Sequence, residues 1–168
     1  SCIPEDRYFW GSAPEATLEE NSLMGYEDKK EFSHKGLLDL KQVKAHAKKL
    51  IEDYKVKVGS SRQKIRELSG GNAQKLIAAR EITLGTPFLI ACEPTRGIDI
   101  GAMDFIHDRL VEKRNQGDGI LLVSSELSEI MTLSDRIYVI YEGKINGEFV
   151  RGDIDEKTLG LLMVGGHV

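Results

Sequence analysis

Cysteine is scarce in this chain. Only Cys2 and Cys92 occur, far apart in sequence and without the spacing of a metal site, which excludes a disulfide framework and fits a reducing compartment. His34, His46, His107 and His167 are scattered, so no zinc site is read. No apolar run approaches the roughly 18 residues of a membrane-spanning helix, and no signal peptide is read, so any membrane contact is expected to be indirect. Charge of one sign never accumulates: the 23 basic and 27 acidic residues are interspersed and leave a net charge of -4, which argues against a nucleic-acid partner. Lys41, Lys44, Lys48 and Lys49 lie on one predicted helix, but Val43, Ala47, Leu50 and Ile51 between them make an amphipathic pattern and a solvated face. No internal repeat or low-complexity tract is present. Also missing is a Gly-rich run ending in Lys-Ser or Lys-Thr, the loop that cradles nucleotide phosphates.

Against that last absence, one run is directed at phosphate. In Leu68-Ser69-Gly70-Gly71-Asn72-Ala73-Gln74-Lys75, Ser69 suits a helix N-cap, and the two glycines let a ligand approach the backbone closely. The first-turn N–H groups have no intrahelical partner and attract an anion. Taken alone, Ser-Gly-Gly is more readily an ordinary helix start with a Ser cap and a flexible Gly pair. The residues beyond it supply the context: Ala73, Leu76, Ile77, Ala79 and Leu84 fall near helical spacing, and Gly85-Thr86-Pro87 stops the helix. Phe88 to Cys92 then reads as a buried parallel strand. It ends in Glu93-Pro94-Thr95-Arg96-Gly97-Ile98-Asp99, which puts a carboxylate at the carboxyl end of a strand, where open α/β sheets bind ligands.

The remaining pattern is also α/β. Thr17-Leu18-Glu19-Glu20 is a capping box opening a helix to about Tyr26, a polar stretch runs from Glu27 to Gly36, and Leu40 to Tyr54 reads as a second helix. Asp99 can cap a helix to about Arg114. Ile120 to Ser124 is expected to be a buried strand, Leu127 to Met131 a short helix, and Ile137 to Tyr141 a strand. Glu142-Gly143 turns into Lys144 to Phe149 as a hairpin, and Asp153 to Val164 reads as a terminal helix. At 168 residues the chain can hold one domain with a moderate core.

Signature run, helix, strand and Glu-Pro-Thr in this order resemble the ATP-binding cassette (ABC) family, with Leu68 to Gln74 as the signature motif and Phe88 to Glu93 as the Walker B strand. The fold this implies is a partial P-loop NTPase: a parallel-sheet remnant, a helical subdomain and a C-terminal β-hairpin. LSGGN followed by Gln-Lys, with PTRGID as the D-loop, resembles the sugar and nucleoside importers whose ATPase carries two cassettes in one chain, and this chain resembles the second. The resemblance covers Ile3 to Phe149. It divides the chain into a Q-loop region (1–11), a helical subdomain with the signature helix (12–84) and the C-terminal part of the ATPase core (85–168). Because Ile3-Pro4-Glu5-Asp6-Arg7 already looks like the Q-loop, the Walker A strand and loop are expected upstream of Ser1, and the chain reads as a C-terminal piece.

Three positions depart from the family pattern. Cys92-Glu93 stands where Walker B ends Asp-Glu, and a neutral thiol is a poor magnesium ligand because hard cations prefer oxygen. Ser125 occupies the place of the switch histidine, and a hydroxyl does not replace imidazole as a charged γ-phosphate contact. Glu5 stands where a Gln would contact magnesium and the attacking water; its carboxylate could still coordinate. In the family, two cassettes sandwich ATP head to tail. The resemblance therefore implies that Ser69, Gly70, Gly71, Asn72 and Gln74 serve ATP held by the other cassette, while Glu93, Asp99, Glu5 and Ser125 belong to a degenerate site. Glu93 reads either as a general base or as a vestigial acid, and Cys92 and Ser125 favour the second.

ATP and Mg2+ are the cofactors implied for the full protein, with neither held tightly by this segment alone, which is expected to be inactive in isolation. The implied partners are the first cassette of the same chain, membrane-spanning permease subunits and, indirectly, an extracellular solute-binding protein. The implied location is the cytoplasmic face of the cell membrane. Phe9 and Trp10, between Q-loop and helical arm, are candidate contacts for a permease coupling helix. Self-association is a further expectation, from exposed sheet edges. A DNA-repair type of ABC ATPase is a competing class, but no sustained heptads occur between Thr17 and Arg66. A non-catalytic interaction module is the other competing class. Nucleoside is preferred over sugar from the look of IACEPTRGID and the helical arm.

Overall fold

A computed structural model describes residues 1–166. They form two compact units, one ending at Leu121 and the other beginning at Leu122.

The first unit is organised around one helix. Ser69 caps it, and α3 (Gly70–Thr83) then buries Gly71, Ala73, Gln74, Leu76, Ile77, Ala78, Ala79 and Arg80, so it is covered on nearly every side, as a central helix is. Two arm helices pack on it. α1 (Leu18–Leu23) starts at the capping box, with Glu20 N–H donating to Thr17 Oγ1 and Thr17 N–H donating to Glu20 Oε2. α2 (Leu40–Asp53) starts at Asp39, whose carboxylate accepts from the N–H groups of Lys41 and Gln42. Leu18, Leu50, Tyr54, Val56, Ile65, Leu76 and Ile77 fill the space between the three helices.

α1 stops at Leu23 rather than near Tyr26, because Gly25 adopts φ +85° and turns the chain out of the helix. Tyr26 is thereby freed to place its hydroxyl on the Arg80 carbonyl at 2.9 Å. The polar stretch after it is not featureless: β2 (Ser33–His34) and β3 (Leu37–Leu38) pair as a small antiparallel ribbon across Lys35-Gly36.

A three-stranded sheet lies at the other side of α3, with β1 (Cys2–Ile3), β4 (Phe88–Cys92) and β5 (Gly119–Val123) in the order β1-β4-β5. β1 runs parallel to β4 with Cys2 opposite Ile90. This register brings Cys2 and Cys92, 90 positions apart in sequence, to the same sheet face as neighbours. Burial and the adjacent Cys92 thiol push the Cys2 thiol up. Both cysteines are free. The strands are not continuously buried as expected. Leu89 and Ala91 are buried while Phe88 is half exposed, and Leu121 and Val123 are also half exposed, which is the period-2 alternation of a sheet covered on one face. Between β4 and β5, α4 (Ile100–Asn115) is capped by Asp99 and buries Ala102, Ile106 and Leu110.

His46 shows how tightly the arm is packed. Its ring lies 4.5 Å from that of Tyr26 and 5.0 Å from that of Phe32, and its Nε2 is buried without a hydrogen-bond partner. Burial holds its pKa below the ordinary 6.5, against the opposing pull of the Ser22 backbone and Glu31, with Lys29 and Lys49 adding to the depression. A depressed histidine favours the folded state above its unfolded pKa, and that stability is lost as pH falls below about 6.5 toward the folded value. The urea-midpoint advantage of the wild type over His46→Gln is therefore expected to shrink between pH 7.5 and pH 5. An unchanged difference would refute the assignment.

The second unit comprises α5 (Leu127–Leu133), β6 (Arg136–Tyr141), β7 (Lys144–Val150) and α6 (Glu156–Met163). β6 and β7 form the expected hairpin, closed by Glu142 and Gly143 at φ +46° and +74°, the left-handed pair that a two-residue turn requires. Ile137, Val139, Ile154, Leu159 and Leu162 form its core. Asp155 caps α6 through the N–H of Thr158. No helix among the described residues is long and apolar enough to cross a membrane.

Candidate functional site

The start of α3 is held by a small polar network. Ser69 Oγ accepts from the Asn72 side chain at 2.9 Å and, at a longer 3.4 Å, from its backbone N–H. The Asn72 Oδ1 accepts from the Lys57 N–H at 2.8 Å, which ties the segment after α2 to the helix cap. Asn72 is thus occupied in fixing Ser69.

Both glycines sit against other parts of the protein. A Cβ on Gly71 would lie 2.8 Å from Asp99 Oδ2 and 3.2 Å from the Ala102 Cβ, so Gly71 permits α4 to approach. A Cβ on Gly70 would lie 2.8 Å from Nη1 of Arg7. Asp99 serves the same junction from its other side, its Oδ1 accepting the Ala102 N–H at 2.9 Å. Gln74 is buried, and its amide donates to the Pro94 carbonyl at 2.8 Å. It anchors the loop that follows β4 to α3.

That loop begins with a conformational outlier. Glu93 takes φ +46° directly after β4, a region that costs a non-glycine residue free energy and marks functional turns. Pro94 and Thr95 behind it are buried, and Gly97 takes φ +66° before Asp99. Glu5 reaches the same loop: its carboxylate pairs with Arg96 at 2.6 Å, both side chains being mostly exposed. An exposed pair of this kind contributes little stability. Arg7 donates to the Arg96 carbonyl.

Glu5, Ser69, Gly70, Gly71, Gln74, Glu93 and Asp99 therefore meet around the α3 start and the 93–99 loop, within the first unit. Ser125 lies in the second unit, on the loop between β5 and α5, beside the Glu126 N–H that donates to Ser124 Oγ at 3.0 Å. Sequence reasoning gave no role to Arg7 or Arg96. Their signal was the arginine on each side of the junction, next to glycines that leave room for it.

The magnesium chemistry of this donor set is poor. Cys92 supplies sulfur where a hard cation needs oxygen, and the Glu5 carboxylate is shared with Arg96. No group of three or more His, Cys, Asp or Glu side chains suited to a metal occurs among the described residues. These residues do not fit a magnesium site of their own.

No family model matches the chain. Individual proteins do. It is 41% identical over 166 residues to the nucleoside import ATP-binding protein NupA of Lactococcus lactis subsp. cremoris, covering 99% of this chain and 33% of that protein. It is 44% identical over 163 residues to the guanosine import ATP-binding protein NupO of Bacillus subtilis, covering 97% and 32%. It is 40% identical over 168 residues to the glucose import ATP-binding protein TsgD13 of Haloferax volcanii, covering 99% and 30%. The chain thus spans about a third of the length of these relatives. In structure it resembles a dimeric ATP-binding cassette bound to ADP and Pi, with a TM-score of 0.73 and 19% identity over 91% of this chain and 63% of that one. This last likeness concerns the fold.

Proposed function

Given that the chain belongs to the ATP-binding cassette family, we propose that it is the second-cassette segment of an importer's ATP-binding subunit and that it completes the ATP site of the first cassette. The observation that carries this reading is the Ser69 cap with two glycines at the start of a 14-residue buried helix, beside a strand that carries Cys92 where Walker B has its Asp. The Ser69 hydroxyl and the Gly70 and Gly71 N–H groups would donate to the γ-phosphate of ATP held by the first cassette, with Asn72 and Gln74 holding that turn in place. Donors fixed where negative charge accumulates lower a phosphoryl-transfer barrier without a metal in their own half-site.

In this reading segments 1–11, 12–84 and 85–168 are the Q-loop region, the helical arm with signature, and the remainder of the ATPase core. Glu93, Asp99 and Glu5 line the second, degenerate site, and Ser125 stands in the sequence at the switch-histidine position of that cassette. ATP with Mg2+ is the cofactor pair of the full protein, and the hydrolytic magnesium belongs to the first cassette. The permease subunits would dock near Phe9 and Trp10, two aromatics 73% exposed and 4.7 Å apart, placing the protein peripherally on the cytoplasmic face of the membrane. An extracellular solute-binding protein would act through the permease. The solute would be a nucleoside, with a sugar as the alternative.

Glu93→Gln in the full-length protein tests the assignment of sites. ATP turnover is expected to stay within about threefold of wild type, against the roughly 10²–10⁴-fold loss that accompanies removal of a working general base. A loss of that larger size would make Glu93 the hydrolytic carboxylate and overturn the proposal.

A further inference from the structure

Arg7 is where no consideration of helix stability would put it. Its guanidinium stands over Gly70 at the N-terminus of α3, the positive end of the helix dipole, where a cation is unfavourable. It is nevertheless held there from several directions. Nη2 donates to the Arg96 carbonyl, and the Arg96 side chain returns to Glu5 at 2.6 Å, so residues 5 and 7 together grip residue 96. Gly97 leaves room on the far side, since a Cβ there would be 3.5 Å from Nη2.

The backbone that projects Arg7 is also fixed. The Arg7 carbonyl accepts from Ser12 Oγ at 2.8 Å, and the Asp6 carbonyl accepts from the N–H groups of Trp10 and Gly11 at 3.0 and 3.1 Å. The Asp6 carboxylate accepts from the Tyr8 and Phe9 N–H groups, both at 2.9 Å, which hold its pKa below the ordinary value. Gly70-Gly71 thus lies between a guanidinium on one side and the Asp99 carboxylate on the other.

We propose that Arg7 is a positioning residue for ATP hydrolysis: its planar fork fixes the 93–99 loop against the first turn of α3 and so sets where the Ser69–Gly71 donors point. This rests on the reading that those donors face ATP. Displacement of donors by about 1 Å is enough to cost a hundredfold in rate.

The test uses the full-length protein and four forms: wild type, Arg7→Ala, Arg7→Lys and Ser69→Arg. Arg7→Ala is expected to lower kcat for ATP at least about tenfold with KM changed less than twofold, which is the pattern of lost transition-state positioning. Arg7→Lys should recover only part of it, because an ammonium is a point charge and does not fork. Hydrogen exchange supplies a readout independent of turnover. In Arg7→Ala the hydrogen-bonded amides of Asn72, Ala73 and Arg96 exchange faster, while those of Val43 to Leu50 in α2 do not, which separates a local release from global unfolding.

Wild-type exchange in Arg7→Ala overturns the clamp. Faster local exchange with wild-type kcat overturns its role in hydrolysis, provided Ser69→Arg is inactive. If Ser69→Arg hydrolyses ATP normally, the ATP-facing reading itself fails and takes the link between Arg7 and hydrolysis with it.

Discussion

Replacing Ser69 with arginine in the full-length protein is expected to reduce ATP turnover by at least about a hundredfold, the usual cost of removing one fixed donor from a site of developing negative charge. Three effects combine. The hydroxyl is lost, the Asn72 side chain loses its partner, and a second guanidinium is forced in beside Arg7, which already stands over Gly70. The cost to folding is much smaller: losing an N-cap serine removes about 0.5–2 kcal/mol, a modest part of the roughly 5–15 kcal/mol of a typical domain. The expected phenotype is therefore a folded protein that still binds ATP and does not turn it over. Turnover, a thermal melt and nucleotide binding measured together check it. Near-normal turnover in a folded variant would contradict the signature assignment.

The largest stability effect is expected at Arg80. Its side chain is almost completely buried, and it donates to the Gly11 carbonyl at 2.8 Å, to the Asn21 carbonyl at 3.1 Å and to Glu81 Oε1 at 2.8 Å. Glu81 in turn accepts from the Cys2 N–H through its other oxygen at 3.1 Å. One guanidinium thereby joins α3 to α1, to the turn that ends at Gly11 and, through Glu81, to β1. Arg80→Met fills most of the volume but leaves two carbonyls and a nearly buried carboxylate without their cation. Removing one partner of such a pair costs about 3–5 kcal/mol, enough to unfold a marginal domain. Arg80→Lys should recover only part, since one ammonium does not span the three acceptors. Urea titrations of the three proteins measure this. A midpoint for Arg80→Met equal to wild type would show the network to be dispensable.

The elements that the sequence makes legible are those decided by neighbouring residues. Thr17 and Glu20, three apart, form their capping box; Asp99 and Ser69 cap the helices that begin after them; Glu142 and Gly143 close the hairpin. Each depends on hydrogen bonds across a few positions. What is not legible depends on contacts across the fold. Arg7 meets Arg96 across 89 positions, Cys2 becomes the neighbour of Cys92 only through the β1–β4 register, and the amide of Gln74 goes to Pro94. A motif reading assigns Asn72 and Gln74 to nucleotide because they stand in the run, yet both side chains are engaged within the protein. The early end of α1 was legible in principle, since Gly25 supplies the left-handed residue that stops it.

In the function proposed above, this chain donates its Ser69–Gly71 turn to a nucleotide bound elsewhere. The most direct measurement is ATP hydrolysis by this chain alone and after mixing with a purified first cassette of the same protein, with Ser69→Arg as the control. No turnover is expected from the chain alone, with turnover in the mixture well above that of the first cassette by itself and loss of that gain with Ser69→Arg. Turnover by the chain alone, abolished by Glu93→Gln, would mean that it carries a complete site and would contradict the claim.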